Sequence, residues 1–194
     1  MLLAARDLIM SRGFAGMTVD SICEQAGVTK GGFFHHFGSK DGLGEAVLGQ
    51  FWQDVAERQG GADFKTAPTR LDYVLGYLDH AIEAYQDPVI RQGCMLAIFT
   101  MELSQTNPGL YRTSAEYFQT WKTELVGMFE QLKEELSITN FDAVAWSELF
   151  ISTLEGALLL SKSSGDVGVI VRVLSLYKKQ LLLNLGIDSG TGQS

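Results

Sequence analysis

Between Thr18 and Lys40 the chain reads TVDSICEQAGVTKGGFFHHFGSK, and no other segment restricts the possible folds so closely. Val19, Ile22, Cys23 and Ala26 recur at i, i+3, i+4 and i+7, the single apolar stripe of a short helix. Thr18 suits its N-cap, and Asp20 falls near the positive end of its dipole. Gly27 can take the left-handed conformation that stops this helix, Val28 can plug the turn, and Thr29 opens a third helix through about His36. The pattern is helix, tight glycine turn, helix.

The flanking sequence continues in helices. A first helix is expected from about Leu2 to Ser11, stopped by Gly13. Ser39 should cap a longer fourth helix with Asp41 in its first turn, running to about Gln59 before Gly60-Gly61. Pro68 suits the first turn of a helix carrying Leu71, Val74, Leu75, Leu78 and Ile82, with Asp87-Pro88 at its end. A sixth helix should hold Cys94 to Gln105. Asn107-Pro108-Gly109 reads as a breaker, and Phe118, Trp121, Leu125, Met128, Leu132 and Leu136 then form a stripe several turns long. Two further helices, about Phe141–Ser163 and Val167–Leu185, are joined by Ser164-Gly165-Asp166 and are apolar over more than one face. With only three prolines and no strict valine-rich alternation, the fold class is all-α. The expected division is a three-helix domain over residues 1–47, a larger helical domain over 48–188, and a disordered Gly/Ser tail over 189–194.

Two cysteines, Cys23 and Cys94, make no disulfide framework; both are expected inside helices, and a reducing cytoplasm suits them. Met1 to Met10 is interrupted by Arg6 and Asp7, unlike a signal peptide. Val167 to Ile187, read as the most apolar stretch, is broken by Arg172, Lys178, Lys179 and Asn184, so no membrane partner is expected. The net charge of −8 argues against a protein that coats nucleic acid by bulk electrostatics. Its distribution matters more. Residues 1–47 hold four basic against five acidic side chains, which leaves −7 for the remainder.

Adjacent glycines inside a short helix, Gly31 and Gly32, cost about 1 kcal/mol each relative to alanine, and close approach of another surface is the usual reason to keep them. In a helix-turn-helix the second helix enters the major groove, and small residues at its start let it sit deep while Lys30 reaches base edges or phosphate. Thr18, Thr29 and Lys40 stand at helix starts, where hydroxyls, orphan N–H groups and an ammonium can bind phosphate. Phe33 and Phe37 read as core. Phe34, His35 and His36 fan around the helix by about 100° each, so some of this triplet is exposed. His35 and His36 diverge and lack companions at zinc-site spacing, so no metal is expected. Nor is an enzyme: GxSxG, a phosphate-binding glycine loop, HExxH and CxxC are all absent, and the histidines are not paired with an orienting acid.

Ala5, Gly13, Phe14, Thr18, Ile22, Ala26, Gly27, Val28, Thr29, Gly31, Phe34, His36, Phe37, Lys40 and Leu43 stand in a pattern that resembles the DNA-binding domain of the tetracycline-repressor (TetR) family. Two later runs, RQGCMLAIFTMELSQTNP and LEGALLLSKSSGD, look like the ligand domain of its LmrA/YxaF-like subgroup. The resemblance implies a homodimer whose recognition helices reach successive major grooves roughly 34–36 Å apart on a palindromic operator. It places operator contacts on Thr18, Thr29, Lys30, Gly31, Gly32, Phe34, His35, His36 and Lys40. Phe34 departs from the family's usual tyrosine, which removes a hydroxyl-to-phosphate bond, and the basic arm that many members carry ahead of helix one is missing.

The larger domain is then expected to sense a small molecule and to dimerise. A pocket in a helical domain draws on aromatics and methionines, and the candidates are Tyr77, Met95, Phe99, Tyr117, Phe118, Trp121, Trp146 and Phe150. They suggest a lipophilic, uncharged or weakly cationic effector, with no cofactor. The family's last two helices bundle with their copies in the partner. Ser152, Gly156, Ala157 and Ser161, with Val173 and Tyr177 on the last helix, are the interface candidates. The expected function is a repressor released from its operator by the effector. An adaptor built on a degenerate helix-turn-helix stays open as the alternative, since the charge is acidic and the arm is missing.

Overall fold

The computed structural model describes residues 1–187, and among them all regular structure is helical. The chain forms two compact units that do not follow chain order: residues 1–61 with 94–121, and residues 62–93 with 122 onward. The expected tail over 189–194 lies outside the described residues.

The first unit opens with α1 (Leu2–Gly16), which buries Ala4, Ala5, Leu8, Ile9, Met10 and Phe14. Gly13 breaks this helix as expected, with φ +75° and ψ 166°, but the chain resumes a helical turn before Met17. Then come α2 (Val19–Ala26), α3 (Lys30–Phe37) and α4 (Lys40–Gly60), whose starts agree with the caps read from Thr18, Thr29 and Ser39. α6 (Met95–Leu103) packs on α1 through Phe99, whose ring lies 5.0 Å from that of Phe14. Cys94 is therefore the residue before the helix, buried but not within it. The break expected at Asn107-Pro108-Gly109 falls at residues 104–107, and Pro108 and Gly109 already belong to the next helix. Asn107 Oδ1 accepts the Leu110 N–H at 3.2 Å, and Pro108, having no N–H to lose, is the first residue of α7 (Pro108–Glu135). Gly44 of α4 is a close-packing position, because a Cβ there would lie 2.8 Å from the Phe14 ring.

In the second unit α5 (Arg70–Ala84) is capped by Thr69, so Pro68 precedes the cap instead of occupying the first turn. The Glu135 carboxylate, from the end of α7, accepts the Arg70 N–H at 2.8 Å and satisfies a donor that no residue of α5 can reach. α8 (Ala143–Ser164) and α9 (Gly168–Asn184) pack together, with the Phe150 and Tyr177 rings 5.3 Å apart, and Leu154, Leu158, Leu174 and Leu181 are buried. Tyr177 Oη donates to the Trp146 carbonyl at 2.8 Å, and its phenol pKa is pushed up by burial. Among the described residues α8, not the stretch after Val167, is the segment long and apolar enough to cross a membrane by length and composition. It carries Glu148, Glu155 and Lys162, and it buries Phe150 against Tyr77 of α5 as well as against Tyr177 of α9.

Candidate nucleic-acid interface

The Thr18 hydroxyl accepts the Ser21 N–H at 3.1 Å while Ser21 Oγ accepts the Thr18 N–H at the same distance, a reciprocal cap that squares the start of α2. Gly27, at φ +65°, ends that helix in the left-handed region, and the Val28 N–H closes onto the Cys23 carbonyl at 3.0 Å. Thr29 then caps α3 by accepting the Gly32 N–H at 3.1 Å. Because that bond uses an oxygen lone pair, the Thr29 hydroxyl hydrogen remains able to donate outward. The two caps fix where α3 begins and which residues of it face out.

Phe33 is the inward anchor of α3, wholly buried, which contributes roughly 1.5–3 kcal/mol. Phe34, His35 and His36 are all exposed, Phe34 by 49%, and Phe37 is half-buried. Gly31 is exposed and Gly32 half-buried. A Cβ at Gly31 would meet only Thr29 Oγ1 at 3.9 Å, and one at Gly32 the same oxygen at 3.5 Å, both ordinary contact. Contrast Gly42, where a Cβ would fall 2.2 Å from the Phe37 carbonyl oxygen. Nothing inside the fold requires Gly31 or Gly32 to be small.

The two lysines behave differently. Lys30 projects from the start of α3 and pairs with Asp20 at 2.6 Å, a contact that raises the ammonium's pKa. Lys40 lies across the Phe14 ring at 4.6 Å and donates to the Ala15 carbonyl at 3.4 Å. Partial burial pulls its pKa down, against the opposing carboxylates of Asp41 and Glu102. Lys40 thus anchors to the last turn of α1, where the sequence pattern suggested an ammonium turned outward.

Two partners were not visible in the sequence. Asp20 meets Lys30 only because the turn at Gly27 brings the starts of α2 and α3 together, and Glu102 accepts the Ala15 N–H at 3.1 Å from another part of the chain. Neither separation follows a helical or strand period.

The residues suggested for a ligand divide between the units. Met95, Phe99, Tyr117, Phe118 and Trp121 belong to the first, where Tyr117 stacks on Trp52 at 5.0 Å. Tyr77, Trp146 and Phe150 belong to the second, where the Tyr77 and Phe150 rings stand 5.8 Å apart. A groove of about 500 Å³ in the first unit, between Ser104, Tyr111, Arg112 and Glu116, uses none of them. Of the interface candidates, Ser152 is exposed, Gly156 and Val173 are half-buried, and Ala157, Ser161 and Tyr177 are buried within the chain. The outward side of these helices carries Leu149, Leu159 and Leu160 of α8 and Leu176 and Leu183 of α9, each about half exposed or more.

Residues 1–47 match the family model described as bacterial regulatory proteins, tetR family, and residues 71–175 match that of the LmrA/YxaF-like transcriptional regulator C-terminal domain. The chain is 27% identical to the HTH-type transcriptional repressor DhaR of Mycobacterium sp. (strain GP1), over 90% of this chain and 87% of that protein. It is 24% identical to the transcriptional regulator AcuR of Cereibacter sphaeroides, over 82% of this chain and 73% of that one. Among solved structures, a regulator from Streptomyces coelicolor aligns with a TM-score of 0.80 at 18% identity, over 95% of this chain and 93% of that one. One from Agrobacterium tumefaciens aligns at 0.78 and 20%, over 92% and 94%.

Proposed function

From the premise that the chain belongs to the TetR family of bacterial regulatory proteins, and is a DNA-binding transcriptional regulator rather than an enzyme, we propose that it is a repressor. It binds a palindromic operator as a homodimer and is released by a small lipophilic effector. Residues 1–47 read the operator, and residues 48–188 sense and dimerise.

The observation that carries the reading is the glycine pair at the start of α3. Helical glycines are costly, and with only the Thr29 hydroxyl near them their smallness answers to something outside the chain. Duplex DNA fits, because a helix start that lacks side chains can bring its free N–H groups against a phosphate while Lys30 reaches into the groove. Around it, Thr18, Thr29, Phe34, His35 and His36 supply hydroxyls and ring edges along the backbone, and Lys40 braces the flank. The exposed leucines of α8 and α9 support dimerisation, since apolar side chains so placed are covered in a stable protein. Ser152, Gly156 and Val173 stand at that surface, with Ala157, Ser161 and Tyr177 packing behind it.

For the effector, each unit holds its own candidates, Tyr77, Trp146 and Phe150 in one and Met95, Phe99, Tyr117, Phe118 and Trp121 in the other, apolar or aromatic side chains of the kind that line a lipophilic pocket. Release requires that the effector bind one dimer state more tightly than the other. Cys23 and Cys94 are both buried and form no disulfide, in keeping with work in the cytoplasm.

The test is selection of bound sequences from random duplex DNA by the purified full chain. Recovery of one palindrome supports the reading, and lipophilic compounds should then release the selected duplex. Failure to enrich any sequence at low salt would overturn it.

A further inference from the structure

From Thr18 to Lys40 the only basic side chains besides the two histidines are Lys30 and Lys40. The Lys40 ammonium is occupied by the Phe14 ring and the Ala15 carbonyl. Lys30 is therefore the cation that α3 can carry into a groove, yet its Nζ sits 2.6 Å from Asp20 Oδ1, with the two side chains 62% and 70% exposed.

A carboxylate so placed restricts what the lysine can touch. Against a phosphate, Lys30 would bring Asp20 close to a second anion, and repulsion between the two would offset much of the ammonium's gain. Against base edges in the major groove the same pair is complementary. Guanine offers O6 and N7 as acceptors for the ammonium, and its partner cytosine offers the N4 amino group as a donor to a carboxylate. Lys30 and Asp20 thus present a donor beside an acceptor, as a G·C pair presents acceptors beside a donor.

We propose that Asp20 is a specificity-determining residue, which holds Lys30 away from phosphates and directs the two side chains together onto a G·C base pair in each half-site. This rests on the DNA-binding reading above. Asp20 also stands in the first turn of α2, where a negative charge favours the helix dipole, and that structural role alone would have no influence on base preference.

The experiment compares the wild-type full chain with Asp20→Asn, Lys30→Ala, the double variant, and Glu24→Gln, which removes the same charge one turn further along α2. Each is put through selection from random duplexes and through anisotropy titration across salt, on a selected duplex and on a scrambled one. Asp20→Asn should lower the preference for G·C at one position per half-site by at least about fivefold. It should also tighten binding to the scrambled duplex and steepen the slope of log K against log salt by about 1.8, for two freed lysines per dimer. Glu24→Gln should leave base preference intact, and in the Lys30→Ala background Asp20→Asn should alter it less than in the wild type, because only the direct contact to cytosine is then left to lose. Unchanged base preference and salt slope in Asp20→Asn, with or without a loss of thermal stability, would overturn the inference while leaving DNA binding in place. A wild-type chain that selects no duplex would overturn both.

Discussion

Replacing Gly13 by alanine tests whether the break near the end of α1 is held in shape by a glycine-only backbone and a carboxylate from α6. At φ +75° and ψ 166°, Gly13 occupies a region that other residues enter at a cost of about 1–3 kcal/mol. Its Cβ would also fall 1.8 Å from Glu102 Oε1, so the carboxylate must move away. In moving it gives up the Ala15 N–H at 3.1 Å, a charge-assisted bond that solvent exposure keeps to about 1 kcal/mol. Together these give about 2–4 kcal/mol. The assay is urea unfolding at fixed protein concentration, repeated in a Glu102→Ala background. There the clash and the bond are already gone, so Gly13→Ala should cost only the backbone share, leaving a coupling of about 1 kcal/mol between the two sites. A cost under about 0.5 kcal/mol for Gly13→Ala would refute the backbone reasoning. An equal cost in both backgrounds would refute the part assigned to Glu102.

Thr29→Ala should remove the cap on the Gly32 N–H, lowering stability by about 1 kcal/mol in urea unfolding, and weaken duplex binding in anisotropy through the lost hydroxyl. Leu159→Glu places a charge on the exposed face of α8 and should yield a monomer in sedimentation, with operator affinity lost and helix content retained. Tyr177→Phe should cost about 1 kcal/mol, because the Trp146 carbonyl loses its donor. It should also change the alkaline limb. With the folded phenol's pKa raised above the unfolded value near 10, the unfolded chain releases its proton first, so wild-type stability is level below about pH 10 and falls above it. In Tyr177→Phe that fall should be shallower in urea titrations across pH.

The helices were legible because their signals are local. Thr18, Thr29 and Ser39 cap their own chain three residues on, and Gly27 stops α2 by a conformation it adopts by itself. Where the sequence misled, the deciding partner was ambiguous or distant. The break read at Asn107-Pro108-Gly109 lies just ahead of Pro108, because Asn107 accepts the Leu110 N–H and so caps a new helix that takes in Pro108 and Gly109. Pro68 suits a first turn, but the Thr69 hydroxyl, accepting the Asp72 N–H at 3.0 Å, caps α5, which begins at Arg70, two residues past Pro68. At the candidate interface, the exposure of Phe34, His35 and His36 followed from the angular spacing of a helix. The inward course of Lys40 and the pairing of Lys30 with Asp20 did not. Both depend on how α2, α3, the start of α4 and the last turn of α1 meet in space, which no period in the sequence encodes.

The central claim is that the outward surface of α2 and α3 is where duplex DNA binds, and amide hydrogen exchange with and without a selected duplex tests it most directly. Slowing concentrated between residues 18 and 40, strongest around Gly31 and Gly32, is the predicted result. Unchanged exchange in that segment while the duplex is bound, with protection elsewhere in the chain, would contradict it.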